Sequence, residues 1–229
     1  MRPVRIAAWL AGVLAGVFLI TTAAGPGAGP PAAAARVRGG PAGYVSAPGI
    51  LGSVAAPSAR RAWAVGAANA GGVIAVWNGT RWKLTQPPGI KGDLAAVAAS
   101  SARQAWAVGS TGSTSNTRPL IAGWNGRAWR QVPAPDPGTG AFLNGVAAVS
   151  ARSAWAVGGT SYSSKARPVI MHWNGAAWKN VPGPAGAGQL WDVAAASARS
   201  AWAVGFAYRA RASTPFRTLI VHWNGTHWK

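Results

Sequence analysis

The chain has no cysteine and no glutamate, and Asp93, Asp136 and Asp192 are its only acidic side chains. Without cysteine there can be no disulfide framework, no thiol nucleophile and no thiolate metal site. A glycosidase working through paired carboxylates would need two of the three aspartates, and these share no position in the repeat described below. His172 and His222 do share one, but no third ligand follows at a metal-site spacing, so no metal and no cofactor are expected. The glycines sit at strand ends and turns rather than between a strand and a helix, which leaves out a phosphate-cradling loop. Charged residues make up only 11% of the chain, and the imbalance among them is large: 22 Lys and Arg give a net charge of +19. Such a surface favours anionic partners and repels cationic ones.

What the chain has in abundance is tryptophan, 14 in 229 residues. Most belong to two motifs that recur four times. AWAVG places Trp63, Trp106, Trp155 and Trp202 at intervals of 43, 49 and 47 residues. WNG-x-x-W opens with Trp77, Trp124, Trp173 and Trp223 and closes five residues later with Trp82, Trp129, Trp178 and Trp228. A period of this length marks copies of one supersecondary unit that cannot bury its apolar faces alone.

Turn chemistry divides each copy into four short strands. The first follows the form L-x-x-V-A-A, at Leu51, Leu94, Leu143 and Leu190, and a turn ending near Ser-Ala-Arg leads into AWAVG. From the Val to the AWAVG Trp is nine residues in every copy, which predicts a rigid first hairpin. The third strand ends at the WNG Trp, and Asn-Gly predicts a tight hairpin turn into the fourth. Four antiparallel strands per repeat is the blade of a β-propeller, with the first strand nearest the axis and the tryptophans between neighbouring sheets. The fold class is therefore all-β, a propeller with four visible repeats, either a four-bladed ring or part of a larger propeller. The turn also accounts for Asn78-Gly79-Thr80 and Asn224-Gly225-Thr226, which match the N-glycosylation pattern.

Residues 1–35 read as a signal peptide or N-terminal anchor: Arg2 and Arg5 precede an uncharged stretch from Ile6 to Ala24, with small residues after it. Membrane contact is expected only through residues 6–24, and only if they are retained. Residues 36–50 form a Gly/Pro/Ala-rich linker. Within it, Val45-Ser46-Ala47-Pro48 resembles the V-P-x-P exit that the fourth copy lacks, and would supply a closing strand. Residues 51–229 are the propeller repeats. A ring left incomplete would invite a homodimer.

The paired AWAVG and WNG motifs resemble a group of secreted actinobacterial repeat proteins with kelch-like propeller architecture. The resemblance covers Leu51 to Lys229. Many members carry Asp just before the A-W pair, and often Asp in the WNG turn. Here those positions hold Arg61, Gln104, Ser153 and Ser200, then Asn78, Asn125, Asn174 and Asn224.

Two sets of residues remain as candidates for function, at opposite ends of the blades. The second-to-third strand connections vary in length and carry Arg118, Tyr162, Lys165, Arg167, Tyr208, Arg209, Arg211 and Arg217. Variable loops on a constant scaffold are where specificity resides. The alternative is a ring of arginines in the first turn, Arg60, Arg103, Arg152 and Arg199, able to hold phosphate or carboxylate groups. The expectation is an exported, non-enzymatic propeller, secreted or in the cell envelope, that binds an anionic polymer or a protein partner through its loops. The alternative is a carbohydrate-recognition module associated with a glycan-active enzyme. Nucleic acid comes third, since an exported protein meets little of it.

Overall fold

The computed structural model describes residues 48–229 apart from 69–70, 114–115, 139, 162–164, 187 and 210–214. The expected signal segment and all but the last three linker residues, including Val45 to Ala47, lie outside the described residues. Among the described residues, fifteen strands form four antiparallel sheets in chain order. Blade 1 is β1 (Ile50–Ser58), β2 (Arg61–Ala68), β3 (Gly71–Trp77) and β4 (Trp82–Thr85). Blade 2 is β5 (Asp93–Ser101), β6 (Gln104–Thr111), β7 (Arg118–Trp124) and β8 (Trp129–Val132). Blade 3 is β9 (Phe142–Ser150), β10 (Ser153–Gly159), β11 (Pro168–Trp173) and β12 (Trp178–Asn180). Blade 4 is β13 (Gly188–Ser197), β14 (Ser200–Tyr208) and β15 (Phe216–Trp223), with a single bridge from Trp223 to Trp228 where the others have a fourth strand. Inner strands pack on inner strands, β1 on β5, β5 on β9 and β9 on β13. This is the blade order of a β-propeller.

The L-x-x-V spacing has a local cause. Residues three apart on a regular strand point to opposite faces, yet Leu94 and Val97 are buried in the same core cluster. The register of every inner strand slips just after its Leu, between Leu51 and Ser53, Leu94 and Ala96, Leu143 and Gly145, and Leu190 and Asp192. One extra residue at such a bulge restores the parity and brings Leu and Val to one side. The AWAVG glycine faces this bulge. A Cβ on Gly66, Gly109, Gly158 or Gly205 would collide with the carbonyl oxygen of Ile50, Asp93, Phe142 or Gln189 respectively.

At the other end of each blade, Ser-Ala-Arg and WNG form one corner. The indole N–H groups of Trp77, Trp124, Trp173 and Trp223 donate to the carbonyls of Ala59, Ala102, Ala151 and Ala198 at 3.0–3.2 Å. Ser101, Ser150 and Ser197 accept the backbone N–H of Arg103, Arg152 and Arg199 at 3.2 Å. The Asn-Gly turn is wider than the two-residue hairpin expected from the sequence. Trp77 pairs with Trp82, so residues 78–81 form a four-residue loop, closed by the Asn78 N–H donating to Arg81 O at 3.3 Å. Its Asn acts through the side chain, accepting the N–H groups of Thr80 and Arg81 at 3.0 and 2.9 Å, and the other three loops repeat this. That Asx geometry, with the following glycine at a φ of 92–99°, holds the four-residue loop. The first turn is tight: two residues, such as Ala59-Arg60, separate β1 from β2.

Between blades, the tryptophans meet in threes. Trp63 of blade 1 touches Trp124 and Trp129 of blade 2 at ring-centroid distances of 5.8 and 6.0 Å. Trp106 meets Trp173 and Trp178, and Trp155 meets Trp223 and Trp228, in the same tilted and edge-on pattern at 4.8–5.2 Å. Each buried indole removes about 150–250 Å² from water, worth roughly 4–6 kcal/mol at ~25 cal/mol per Å² before conformational entropy is set against it.

Candidate functional site

Because the strands alternate in direction, each blade has two distinct ends. The β2–β3, β6–β7, β10–β11 and β14–β15 connections leave from one end, together with the links from blade to blade. The Ala-Arg turns and WNG loops collect at the other.

On the loop end, Arg118 opens β7 and its Nη1 lies 3.2 Å from Asp136 Oδ2, both side chains exposed. Asp136 also accepts the Gly138 N–H at 2.9 Å, which holds the carboxylate beside the guanidinium. The pair flanks a shallow cleft of about 350 Å³ reaching from Thr111 to Pro133 and Pro135. In blade 3 the Thr160 N–H donates to Arg167 O and the Arg167 N–H donates to Thr160 Oγ1, each at 3.0 Å. That exchange ties down the backbone and leaves the Arg167 side chain exposed, as is Lys165 two residues earlier. In blade 4 Tyr208 ends β14 and packs edge-on against Phe216 at 5.8 Å. The Arg209 N–H donates to Pro215 O at 2.8 Å, and Arg217 stands opposite Ala207 on β15, exposed like Arg209. The same end of three neighbouring blades thus carries Arg118, Lys165, Arg167, Arg209 and Arg217. Tyr162 and Arg211 lie outside the described residues.

The four turn arginines are exposed at the opposite end. Their stems have a packing role: Cβ and Cγ of Arg60, Arg103, Arg152 and Arg199 fill the space over Gly79, Gly126, Gly175 and Gly225, the glycines of the WNG loops. Their recurrence is therefore explained within each blade. They form an arc rather than a ring, since no packing between blades 4 and 1 matches the three internal interfaces among the described residues.

A third set recurs at a position outside both candidate sets: the residue after the second repeat Trp is basic in every copy, at Lys83, Arg130, Lys179 and Lys229. All four are exposed, three on the outer strands and Lys229 just past the Trp228 bridge of blade 4. Between blades 1 and 2 the outer edges splay into a crevice of about 580 Å³, where Lys83, Arg127 and Arg130 line the space over Trp124 and Trp129. The signal was the W-[K/R] dipeptide, overshadowed by the longer motifs around it.

His172 and His222 lie against the AWAVG tryptophans. His172 sits 4.2 Å from Trp155 and its Nε2 is 3.1 Å from Ser153 Oγ. His222 stacks on Trp202 at 4.1 Å, with Ser200 Oγ at 3.3 Å. Burial holds the His172 imidazole below its ordinary pKa of 6.5, because the charged form loses hydration there.

No protein-family model and no curated protein matches the chain. Among solved structures, the chain is similar to that described as "YCF48 bound to D1 peptide", at 12% identity and a TM-score of 0.48 over 79% of this chain and 68% of that one.

Proposed function

We propose that this is an exported, non-enzymatic β-propeller of the AWAVG/WNG kelch-like kind, which binds an anionic polymer of the cell envelope through its loop-bearing end. The observation that carries the reading is the ratio of charges: three carboxylate side chains stand against 22 Lys and Arg. One of those three, Asp136, is already engaged by Arg118. The exposed side chains of Arg167, Arg209 and Arg217 at the loop end therefore keep most of their field for an external partner. The repeat tryptophans of the three internal interfaces are occupied in packing blade on blade, which weighs against the sugar-stacking alternative.

The test is binding to a glycerol-phosphate polymer across a salt series. Replacing Arg209, Arg211 and Arg217 with Ser removes three charge contacts of about 0.5–1 kcal/mol each, so affinity falls tenfold or more and its salt dependence flattens. Arg103→Ser with Arg152→Ser leaves both unchanged. Loss of binding in the second variant alone would assign the polymer to the turn end. If neither variant binds differently, the excess charge has no polymer partner.

A further inference from the structure

The two terminal blades expose opposite halves of one interface. Every large hydrophobic that is exposed among the described residues lies on blade 1 or blade 4. On blade 1 they are Ile50, Leu51 and Val54, the last 65% exposed, whereas its counterparts Val97, Val146 and Val193 are each 6% exposed under the preceding blade. On blade 4 the AWAVG Trp202 is 51% exposed, whereas Trp63, Trp106 and Trp155 are exposed by 0–3% under the following blade. Val204 and Ile220 beside it are exposed too, while their counterparts Val65 with Ile74, Val108 with Ile121, and Val157 with Ile170 are buried.

The tryptophan triads show the same division. Three are complete, and one is split between the ends. Trp77 and Trp82 of blade 1 touch each other at 5.7 Å, forming the pair that every later blade offers to the Trp before it. Trp202 of blade 4 is the single Trp that such a pair covers; it stacks on its own His222, as Trp155 does on His172, but meets no pair among the described residues. Blade 4 thus presents the single-tryptophan face and blade 1 the paired-tryptophan face of a contact made three times within the chain.

We propose that two copies of this chain associate head to tail, blade 4 of each against blade 1 of the other, and close an eight-bladed ring. The faces are complementary rather than self-complementary, so the contact is heterologous, and such contacts form rings when the rotation closes. Two copies satisfy both ends of both chains at once, and eight blades lies within the usual span of propellers. The union would complete the fourth triad twice, Trp202 of one copy over Trp77 and Trp82 of the other.

The experiment uses the purified full chain in mild detergent, so that residues 6–24 do not drive association, with mass measured by sedimentation. The parent is expected at twice the chain mass. Val54→Asp and Ile220→Asp each place a carboxylate on one exposed end face, so each variant alone should be monomeric with an unchanged far-ultraviolet β-sheet spectrum. Mixed together, they should give a one-to-one dimer through the two faces left intact. A monomeric parent overturns the proposal, and so does a mixture that stays monomeric at all concentrations. Self-association of either variant alone would show a face packing on itself, which also overturns it.

Discussion

The side chains that recur most strictly act within a blade or between blades. Asn78 and its counterparts hold the WNG loop through Oδ1, the WNG indole binds the Ala carbonyl of the first turn, and the turn arginine covers the loop glycine. Recurrence across all four copies was legible as structure, whereas the polar work of these residues was not, because a hairpin signal does not say which atom closes the turn. His172 departs from its repeat partners in a way that can be measured. Its folded pKa is depressed by burial, so below the unfolded value of about 6.5 the unfolded chain binds more protons than the folded one. Stability from this site is full above that pH and falls as pH drops through it toward the folded pKa. Thermal unfolding followed from pH 7.5 to pH 5 should show the loss, and His172→Val, the residue type found at the same position in blade 1 as Val76, should reduce it. An unchanged profile would mean that other groups carry the acid sensitivity.

At the level of the strand pair, the inner hairpin is defined by a bulge and the glycine facing it. The sequence pattern L-x-x-V-A-A with AWAVG nine residues on was enough to place both strands. It did not reveal the bulge, because the same letters fit a regular strand with Leu on one face and Val on the other. The bulge is common to all four blades, as is the glycine facing it, and where a blade has a neighbour it brings Leu and Val together, as in the cluster holding Leu143 and Val146. Gly158→Ala is accordingly expected to be among the most damaging single-methyl additions in the chain. The added carbon meets the Phe142 carbonyl oxygen and the Leu143 Cα, both backbone atoms that a side-chain rotation cannot move. Gly138→Ala is the comparison, since nothing lies within 4 Å of its added carbon and only its positive φ of 112° opposes it. Urea unfolding should show Gly158→Ala losing at least ~3 kcal/mol or failing to fold, against about 1 kcal/mol for Gly138→Ala. Equal losses would remove the bulge from the account of AWAVG.

Across the whole molecule, stability resides in three nearly identical interfaces, each spanned by one tryptophan from the blade before and two from the blade after. The period of the motifs made the blades legible, but the open ends were not, because Trp202 and Trp155 sit in the same AWAVG string and differ only in whether another blade covers them. Burial by a neighbour is a property of the array that no local pattern encodes. Trp155 is 1% exposed and touches Trp223, Trp228 and His172. Its removal leaves a cavity at the junction of blades 3 and 4, so Trp155→Ala is expected to cost ~3–5 kcal/mol. Arg152, three residues earlier, keeps its guanidinium in solvent and contributes only its stem over Gly175. Arg152→Ala should therefore stay near the ~0.5 kcal/mol typical of surface changes. In a chain of this size the first change lowers the melting temperature by on the order of 10 °C and the second by a degree or two. Comparable shifts from the two variants would mean that the junction between blades 3 and 4 contributes far less to stability than its tryptophan triad implies.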